Sequence, residues 1–491
     1  MSGVKITRIP SLKTVQAFRD HCAGLGIDLQ AEDSIARGSD SPFTKTLRWN
    51  GRSIGNSWCV QPMEGWDGTA TGGATEPMLR RWQRFGESGA KLIWGGEAMA
   101  VRPDGRANPR QLILSKENQR DIASLREILL KAHRQSFGTT DDLAIGFQLT
   151  HRGRYCRPVD HHRLEPRAAY RHPILDRKFG VTSDAQVFTD DELKSLVEDY
   201  ARAAKIAADV GADFVDIKHC HGYLLHELLG AHTRPGPFGG SFENRTRMLR
   251  EIAAAIRSVA PKLGLGVRIS IFDLIPFRPE PALSKPAQPG PGIPEDFSHC
   301  LPYRYGFGVN TANPLEPDLA EPIAFLKLCE SLGITLLNLS AGSPYYNPHI
   351  QRPAAYPPSD GYLPPEDPLV GCARQINVVK RLKARFPKLL LVGTAYTYLQ
   401  EYLPHVAQYY LRHGHVDSIG LGRIVLSYPR FIADAVGSGA SPDHRTICRT
   451  FSDCTTGPRN GLRSGCYPLD EYYKKLEPDA AALKQIKQPK K

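Results

Sequence analysis

Polar side chains able to bind an anion, hold an oxygen or move a proton recur after short apolar runs in this chain. Lys218, His221 and Tyr223 follow the run Phe214–Ile217 within one turn. A lysine and a histidine that close can donate two hydrogen bonds to one oxygen, and a tyrosine beside them can supply a proton. Gln61 to Glu64, Glu97, Gln148, His151 and Arg268 end other runs in the same way. Gly393 follows a later run, and Gly420, Gly422 and Arg423 the last. Bare backbone N–H groups and a guanidinium can close on a phosphate there. Each feature has a plainer reading. Glycine in a strand–helix turn serves sterics. Gln148 and Arg268 can belong to a structural polar network. Lys218 can pair with a nearby acid while Tyr223 packs under its loop.

The elements that must position these residues are legible as an alternation. Trp58–Val60, Leu92–Trp94, Ala144–Phe147, Phe214–Ile217, Gly266–Ile269, Leu336–Leu339, Leu389–Val392 and Ser418–Leu421 are short and apolar on both faces, as buried parallel strands are. Helical windows lie between them at Thr189–Val210, Ser241–Ala260, Pro322–Leu332 and Leu369–Phe386. Thr189 and Glu192 form a capping box, and Gly211 stops that helix. Eight strand–helix units in unbroken order predict an α/β fold, a closed (β/α)8 TIM barrel. An open doubly wound sheet would want GxGxxG after its first strand, and Val60–Gly68 offers none.

We divide the chain into an N-terminal extension at 1–45, the barrel at 46–440 and a cysteine-containing C-terminal extension at 441–491. A helix is expected around Val15–Leu25. Pro-rich residues 273–320 and 343–368 make long loops after strands five and six. Both leave from the strand ends where barrel active sites lie, either as lids or as passive insertions.

Composition narrows the function classes. The 491 residues carry a net charge of +12, yet no Lys/Arg block forms a stripe interleaved with aromatics. A basic solvated surface with a site for anionic cofactors is the simpler account, and nucleic acid is not an expected partner. The tail Lys484–Lys491 reads as a frayed, solvated end. Ten cysteines in a chain this long make no disulfide scaffold, and no apolar run has membrane-spanning length. A cytoplasmic protein of a reducing compartment is expected, acting on a small molecule, with a homo-oligomer left open.

The segment Asp216–Arg247, DIKHCHGYLLHELLGAHTRPGPFGGSFENRTR, resembles the signature of the old yellow enzyme / NADH:flavin oxidoreductase family. Around it, in the same order, stand QPMEG from Gln61, GGEAMAV from Gly95, FQLTHRGR from Phe147, VRIS from Val267 and GLGR from Gly420. The resemblance runs from about residue 45 to 435, extends more weakly beyond, and implies a barrel that holds FMN. It implies that Pro62 and Met63 lie against the isoalloxazine ring, with Glu64 and Ala98 near its polar edge. Gln148 would bond the pyrimidine side, and Arg268 would sit where reduced flavin gathers negative charge. Gly393, Gly422 and Arg423 would take the phosphate. Lys218, His221 and Tyr223 would be catalytic, and NAD(P)H would be the electron donor.

Some positions depart from the family's pattern. The family carries His–x–x–His or His–x–x–Asn where this chain has Lys218 and His221. Glu64 replaces a small Thr or Cys. Cys448, Cys454 and Cys466 fall where longer members, related to dienoyl-CoA reductase and trimethylamine dehydrogenase, bind a four-iron cluster. Phe451 stands near the place of a further cysteine. With three thiols where four are needed, no iron–sulfur cluster is expected. The spacing with His444 is poor for zinc. The leading expectation is an FMN-dependent, NAD(P)H-driven ping-pong reductase of an activated C=C bond. A flavin dehydrogenase or demethylase working oxidatively is the alternative. A Schiff-base lyase using Lys218 and a non-catalytic binding barrel are more distant ones.

Overall fold

A computed structural model describes residues 4–285, 288–437 and 442–488. The boundary drawn between 440 and 441, and the last three residues of the basic tail, lie outside the described residues.

The eight apolar runs form eight strands: β1 Trp58–Val60, β2 Leu92–Ile93, β3 Ala144–Thr150, β4 Phe214–Ile217, β5 Gly264–Ser270, β6 Leu336–Ser340, β7 Leu390–Gly393 and β8 Ser418–Leu421. Each pairs in parallel with its neighbours in sequence, and β8 pairs with β1 through Ile419 opposite Trp58. The sheet therefore closes into a barrel. A short strand, Ala98–Ala100, adds to β3 beyond the end of β2 and places Ala98 opposite Gln148.

The principal outer helices are α1 Glu76–Gly86, α2 Gln119–Phe137, α3 Asp190–Asp209, α4 Arg247–Val259, α5 Ala320–Ser331, α6 Pro368–Arg385, α7 Leu403–Arg412 and α8 Arg423–Ser427. At α3 the Thr189–Glu192 capping box is formed, and Gly211 takes φ +83° just past the end. The window Ser241–Ala260 is two helices rather than one. Phe242–Arg245 ends at Thr246, whose hydroxyl bonds back to the Phe242 carbonyl, and α4 starts afresh at Arg247.

The floor of the barrel is apolar. Cys59, Leu92, Ala144, Phe214, Leu336, Leu390 and Val392 form one cluster with Leu47, Trp49 and Ile54. Those last three come from an antiparallel hairpin, Leu47–Trp49 with Arg52–Ile54, at the start of the barrel segment. Trp49 meets the Phe214 ring edge-on at 5.6 Å, and Trp94 meets it at 5.3 Å from within the barrel. Gly146 is required here: a Cβ would stand 2.3 Å from the Phe214 ring.

The two Pro-rich loops do different things. In the first, Phe277–Pro279 pairs antiparallel with Gly292–Pro294, and Gly292 N donates to Leu363 O at 2.9 Å. The loop after β6 crosses the mouth and is joined to the C-terminal segment. There Ser452 Oγ donates to Tyr356 O at 2.6 Å, and Ser359 N donates to Thr456 Oγ1 at 3.1 Å. The expected frayed tail is corrected over its described part. Asp479–Lys487 is helical, because Ala480 and Leu483 pack into a cluster with Tyr467 and Tyr473. Lys487 also pairs with Asp453 at 2.8 Å.

Removing the floor plug should weaken the whole barrel. Trp49→Ala is expected to cost about 3–5 kcal/mol of stability. Denaturant unfolding followed by circular dichroism measures this.

Candidate active site

The strand ends open into a cleft of about 250 Å³. Its walls come from the tips of β1, β3, β4, β5, β7 and β8, the loop after β6, and residues 454–465 of the C-terminal segment. The sequence-selected residues Pro62, Met63, Glu64, Ala98, Gln148, Lys218, His221, Tyr223, Arg268, Gly422 and Arg423 all line it.

Gly393 does not. It remains inside β7, where a Cβ would meet Tyr396 and Val416 at 3.2 Å. The cleft wall at that turn is formed by Thr394, Ala395 and Thr397. Glu97 and His151 also lie behind the wall. Glu97 is bound by Arg81, and His151 Nδ1 accepts from Gly153 N at 3.1 Å.

Asp216 organises the inner wall. Its buried carboxylate accepts from Trp94 Nε1 at 2.8 Å, Gln148 Nε2 at 2.6 Å and Arg268 N at 2.7 Å. Burial pushes its pKa up, but three converging donors and the nearby Arg268 charge favour the ionised form. The amide nitrogen of Gln148 is thereby committed to the carboxylate, and its oxygen is left to accept. The Arg268 guanidinium reaches Pro62 O at 3.4 Å, while its Nε is buried without a partner.

A second set of orphaned donors sits at the β8 end. Arg423 Nη2 donates to Pro353 O at 3.1 Å, and Arg352 Nη1 donates to Thr455 Oγ1 at 2.5 Å. Arg423 Nη1 and Arg352 Nη2 are buried with no partner. Burial and the neighbouring Arg423 charge bring Arg352 down to about 10. Neither guanidinium has a carboxylate within salt-bridge distance among the described residues. Two cations held together in this way lack a counter-anion. Gly422 leaves open space toward the cleft, its nearest Cβ contact being 3.8 Å away. A phosphate dianion fits the donor set. Arg352 was absent from the sequence reading, because it lies in the loop after β6 with no motif around it.

The β4 tip is held in a demanding backbone. His221 and Gly222 are consecutive left-handed residues, with φ +67° and +78°. His221 N donates to Ser270 Oγ at 3.0 Å, and Ser343 Oγ donates to His221 O at 2.9 Å. Strain of this sort persists where surrounding bonds over-determine it. Burial, with Arg268 and Lys218 close by, holds the His221 imidazole well below its ordinary range and therefore neutral. Its Nε2 faces Ser340 Oγ at 3.0 Å and the Gln351 amide at 3.3 Å.

Lys218 has no salt bridge with an acid among the described residues. Its ammonium stands 3.4 Å from the centre of the Tyr223 ring, and burial lowers its pKa to about 8. The Tyr223 hydroxyl donates to Glu64, whose other oxygen accepts from Trp66 Nε1 at 2.9 Å and faces Arg152 at 3.4 Å. Glu64 thus turns toward Tyr223 instead of standing as a lone group at a ring edge. Arg152 in turn donates to Tyr345 Oη at 2.7 Å and lies over the Tyr345 ring.

The family model described as NADH:flavin oxidoreductase / NADH oxidase matches residues 60–278. An NADH:flavin oxidoreductase of Gibberella zeae is 33% identical over 191 residues, covering 36% of this chain and 44% of that protein. The chain spans about half the length of the curated relatives it matches. Among solved structures, a 2-naphthoyl-CoA reductase in complex with 2-naphthoyl-CoA superposes with TM-score 0.61 at 16% identity, over 88% of this chain and 57% of that one. An old yellow enzyme homologue from Zymomonas mobilis superposes with TM-score 0.53 at 20% identity, over 80% and 91%. These likenesses establish the barrel fold.

The lowered pKa of Lys218 gives a pH test. An anion held at the β4 tip should bind more weakly as pH rises through about 8, where the ammonium loses its proton. Benzoate, whose own charge is constant there, is a suitable probe. Its dissociation constant should climb above that pH in the wild type and stay flat in Lys218→Met, as measured by calorimetry.

Proposed function

We propose that this chain, whose residues 60–278 match the NADH:flavin oxidoreductase / NADH oxidase family model, is an FMN-dependent oxidoreductase. Its reaction would be the NAD(P)H-driven reduction, in two half-reactions, of an activated C=C bond or a related centre of a small molecule. The observation that carries this reading is the pair of half-buried guanidinium groups, Arg352 and Arg423, each with one buried unpartnered Nη and no salt bridge among the described residues, at one end of a cleft with an unpartnered Arg268 Nε at its inner wall.

These residues fit FMN. Arg423, Arg352 and Gly422 would hold the phosphate. Pro62, Met63 and Ala98 would flank the ring, the Gln148 oxygen would accept from its pyrimidine edge, and Arg268 would face developing negative charge there. FMN supplies the two-electron hydride chemistry that side chains lack. The protein's own work is done at the β4 tip. Lys218 and neutral His221 hold a substrate oxygen, and the ammonium stabilises negative charge as it grows on that oxygen. Tyr223 gives a proton to the adjacent carbon as general acid. In the oxidative direction the same groups would run in reverse, as in a dehydrogenase.

Burial, with the neighbouring thiols of the set, raises the pKa of both Cys448 and Cys466, which places Cys448, Cys454 and Cys466 close together. We propose that they bind no iron–sulfur cluster, because a fourth thiolate is missing from the sequence near Phe451. All ten cysteines are unpaired, which supports a reducing compartment such as the cytoplasm.

Three measurements test the reading. The purified protein should bind one FMN per chain, seen in its visible spectrum; no flavin uptake would overturn it. Arg423→Ala and Arg352→Ala should each weaken FMN retention about tenfold or more, as loss of a charge-assisted bond does. Tyr223→Phe should slow flavin reoxidation by an enone on the order of 100-fold, with NAD(P)H reduction of the flavin as the internal reference. Separately, stoichiometric iron with labile sulfide in anaerobic preparations would overturn the no-cluster assignment.

A further inference from the structure

Tyr223 cannot work as a proton donor more than once without a source of protons, and the structure limits what that source can be. The tyrosine is 2% exposed, so bulk water does not reach its hydroxyl freely. Two groups touch that oxygen. One is Glu64, which accepts its hydrogen bond. The other is Tyr345 Oη at 3.3 Å, which already accepts from Arg152 and whose pKa burial raises further. A phenol of raised pKa is a poor proton carrier, whereas a carboxylate is a good one. Glu64 keeps 15% of its side chain exposed, while its partner Arg152 keeps 2%.

We propose that Glu64 and Tyr223 form a two-residue proton relay that joins the buried reaction centre to solvent. This rests on the reading of Tyr223 as the acid. In the reductive direction the Glu64 carboxylate serves as the carrier of protons from water to Tyr223. As hydride reaches the β-carbon, the Tyr223 O–H breaks and its proton forms the new C–H bond at the α-carbon. The Glu64 carboxylate then takes a proton from water and passes it to the Tyr223 oxygen. The substrate gains one hydride and one proton, and both side chains return to their starting state. In the oxidative direction the hydrogen bond seen in the structure is the starting state: Tyr223 takes a proton from carbon as it gives its own to Glu64.

The groups facing the pair serve the transfer. Lys218 over the Tyr223 ring stabilises phenolate character while the proton is in transit. Arg152 and Trp66 fix Glu64 Oε1, leaving Oε2 to Tyr223, with Arg152 also 5.9 Å from the Tyr223 ring centre. Without Glu64, Tyr223 would become a phenolate with no route for recharging.

The experiment uses FMN-loaded protein and 2-cyclohexenone as the oxidant. Glu64→Gln keeps the shape of the side chain but cannot exchange the proton. Its reoxidation rate should fall at least tenfold against its rate of reduction by NAD(P)H, with an altered solvent deuterium isotope effect on reoxidation. Glu64→Asp, shorter but still ionisable, should recover part of the rate. It also carries the test if the Gln variant does not fold. A second readout needs no turnover. Difference absorbance near the tyrosinate band should show a tyrosine titrating at lower pH in Glu64→Gln than in wild type, because a neighbouring negative charge has gone. That titration should vanish in the Glu64→Gln, Tyr223→Phe double variant. If Tyr223→Phe is slowed while Glu64→Gln reoxidises at the wild-type rate with an unchanged isotope effect, the relay is wrong and the tyrosine assignment stands. If neither variant is slowed, both are wrong.

Discussion

A carboxylate buried inside a barrel must be satisfied from several sides at once, and Asp216 is satisfied from three strand systems. Trp94 after β2, Gln148 on β3 and the backbone of Arg268 on β5 all donate to it. A buried charge left without partners is among the more expensive defects in a protein. The barrel therefore has little freedom to slide one of these strands past another. That one requirement commits the Gln148 amide, sets the height of Arg268 in the wall and places Lys218, two residues on, at the lip of the cleft. The apolar floor beneath can be built from any well-packed hydrophobes, but the Asp216 node fixes which polar groups look upward.

Above that node the cleft is a study in charges that are nearly but not fully cancelled. Arg81 is matched by Asp67 and Glu97, and Arg459 by Asp360. Arg152 shares Glu64 with Tyr223. Arg268 lies beside the Asp216 charge, and Lys218, Arg352 and Arg423 are left over, with no salt bridge among the described residues. Like charges a few ångströms apart in a poorly solvated site repel by several kcal/mol at an effective dielectric near 20, about 4 kcal/mol at 4 Å. An excess of this size, set out as two guanidinium groups at one end and an ammonium in the middle, suits a dianion at one end and a transient single charge at the centre. It is unfavourable to a cationic substrate. The aromatic faces of Tyr223 and Tyr345, which could otherwise receive a substrate ammonium, already carry Lys218 and Arg152.

Much of the barrel was legible because buried parallel strands are continuous apolar runs; β1, β4 and β8 coincide with the runs that predicted them. The α3 cap was legible for a similar reason, since the capping box is local chemistry. What escaped depended on distance. The break at Thr246 turns on a hydroxyl choosing its own helix's carbonyl over solvent, which periodicity cannot register. Nothing local in Leu47–Ile54 marks it as the barrel's floor until Phe214 is placed beside Trp49. Gly393 and Arg352 show the same limit within the site. A glycine beside an expected phosphate looked suitable by type, yet its missing side chain makes room for Tyr396 and Val416. An arginine in a Pro-rich loop looked incidental, yet the path of that loop returns it to Arg423. Tyr223 was singled out by spacing, but its partner Glu64 comes from the far side of the barrel mouth, and no local pattern joins them.

The wall behind Glu97 has a consequence for how the molecule comes together. Arg81 donates to Ser464 O at 2.7 Å, Ser464 Oγ accepts from Trp66 N at 2.9 Å, and Ser464 N donates to Asp67 at 3.1 Å. These bonds join segments separated by 383 to 398 residues. Contacts at such separation form late, because the chain must first lose the entropy of closing so large a loop. Until they form, the β1 end of the cleft lacks a side and Arg81 holds two acids with nothing behind them. Capture of a ligand in the cleft would thus be among the closing steps of maturation. A ligand enclosed by the last piece to dock then acts as a clasp on that piece: its binding energy adds to the stability of the finished chain, and its departure requires the clasp to open first.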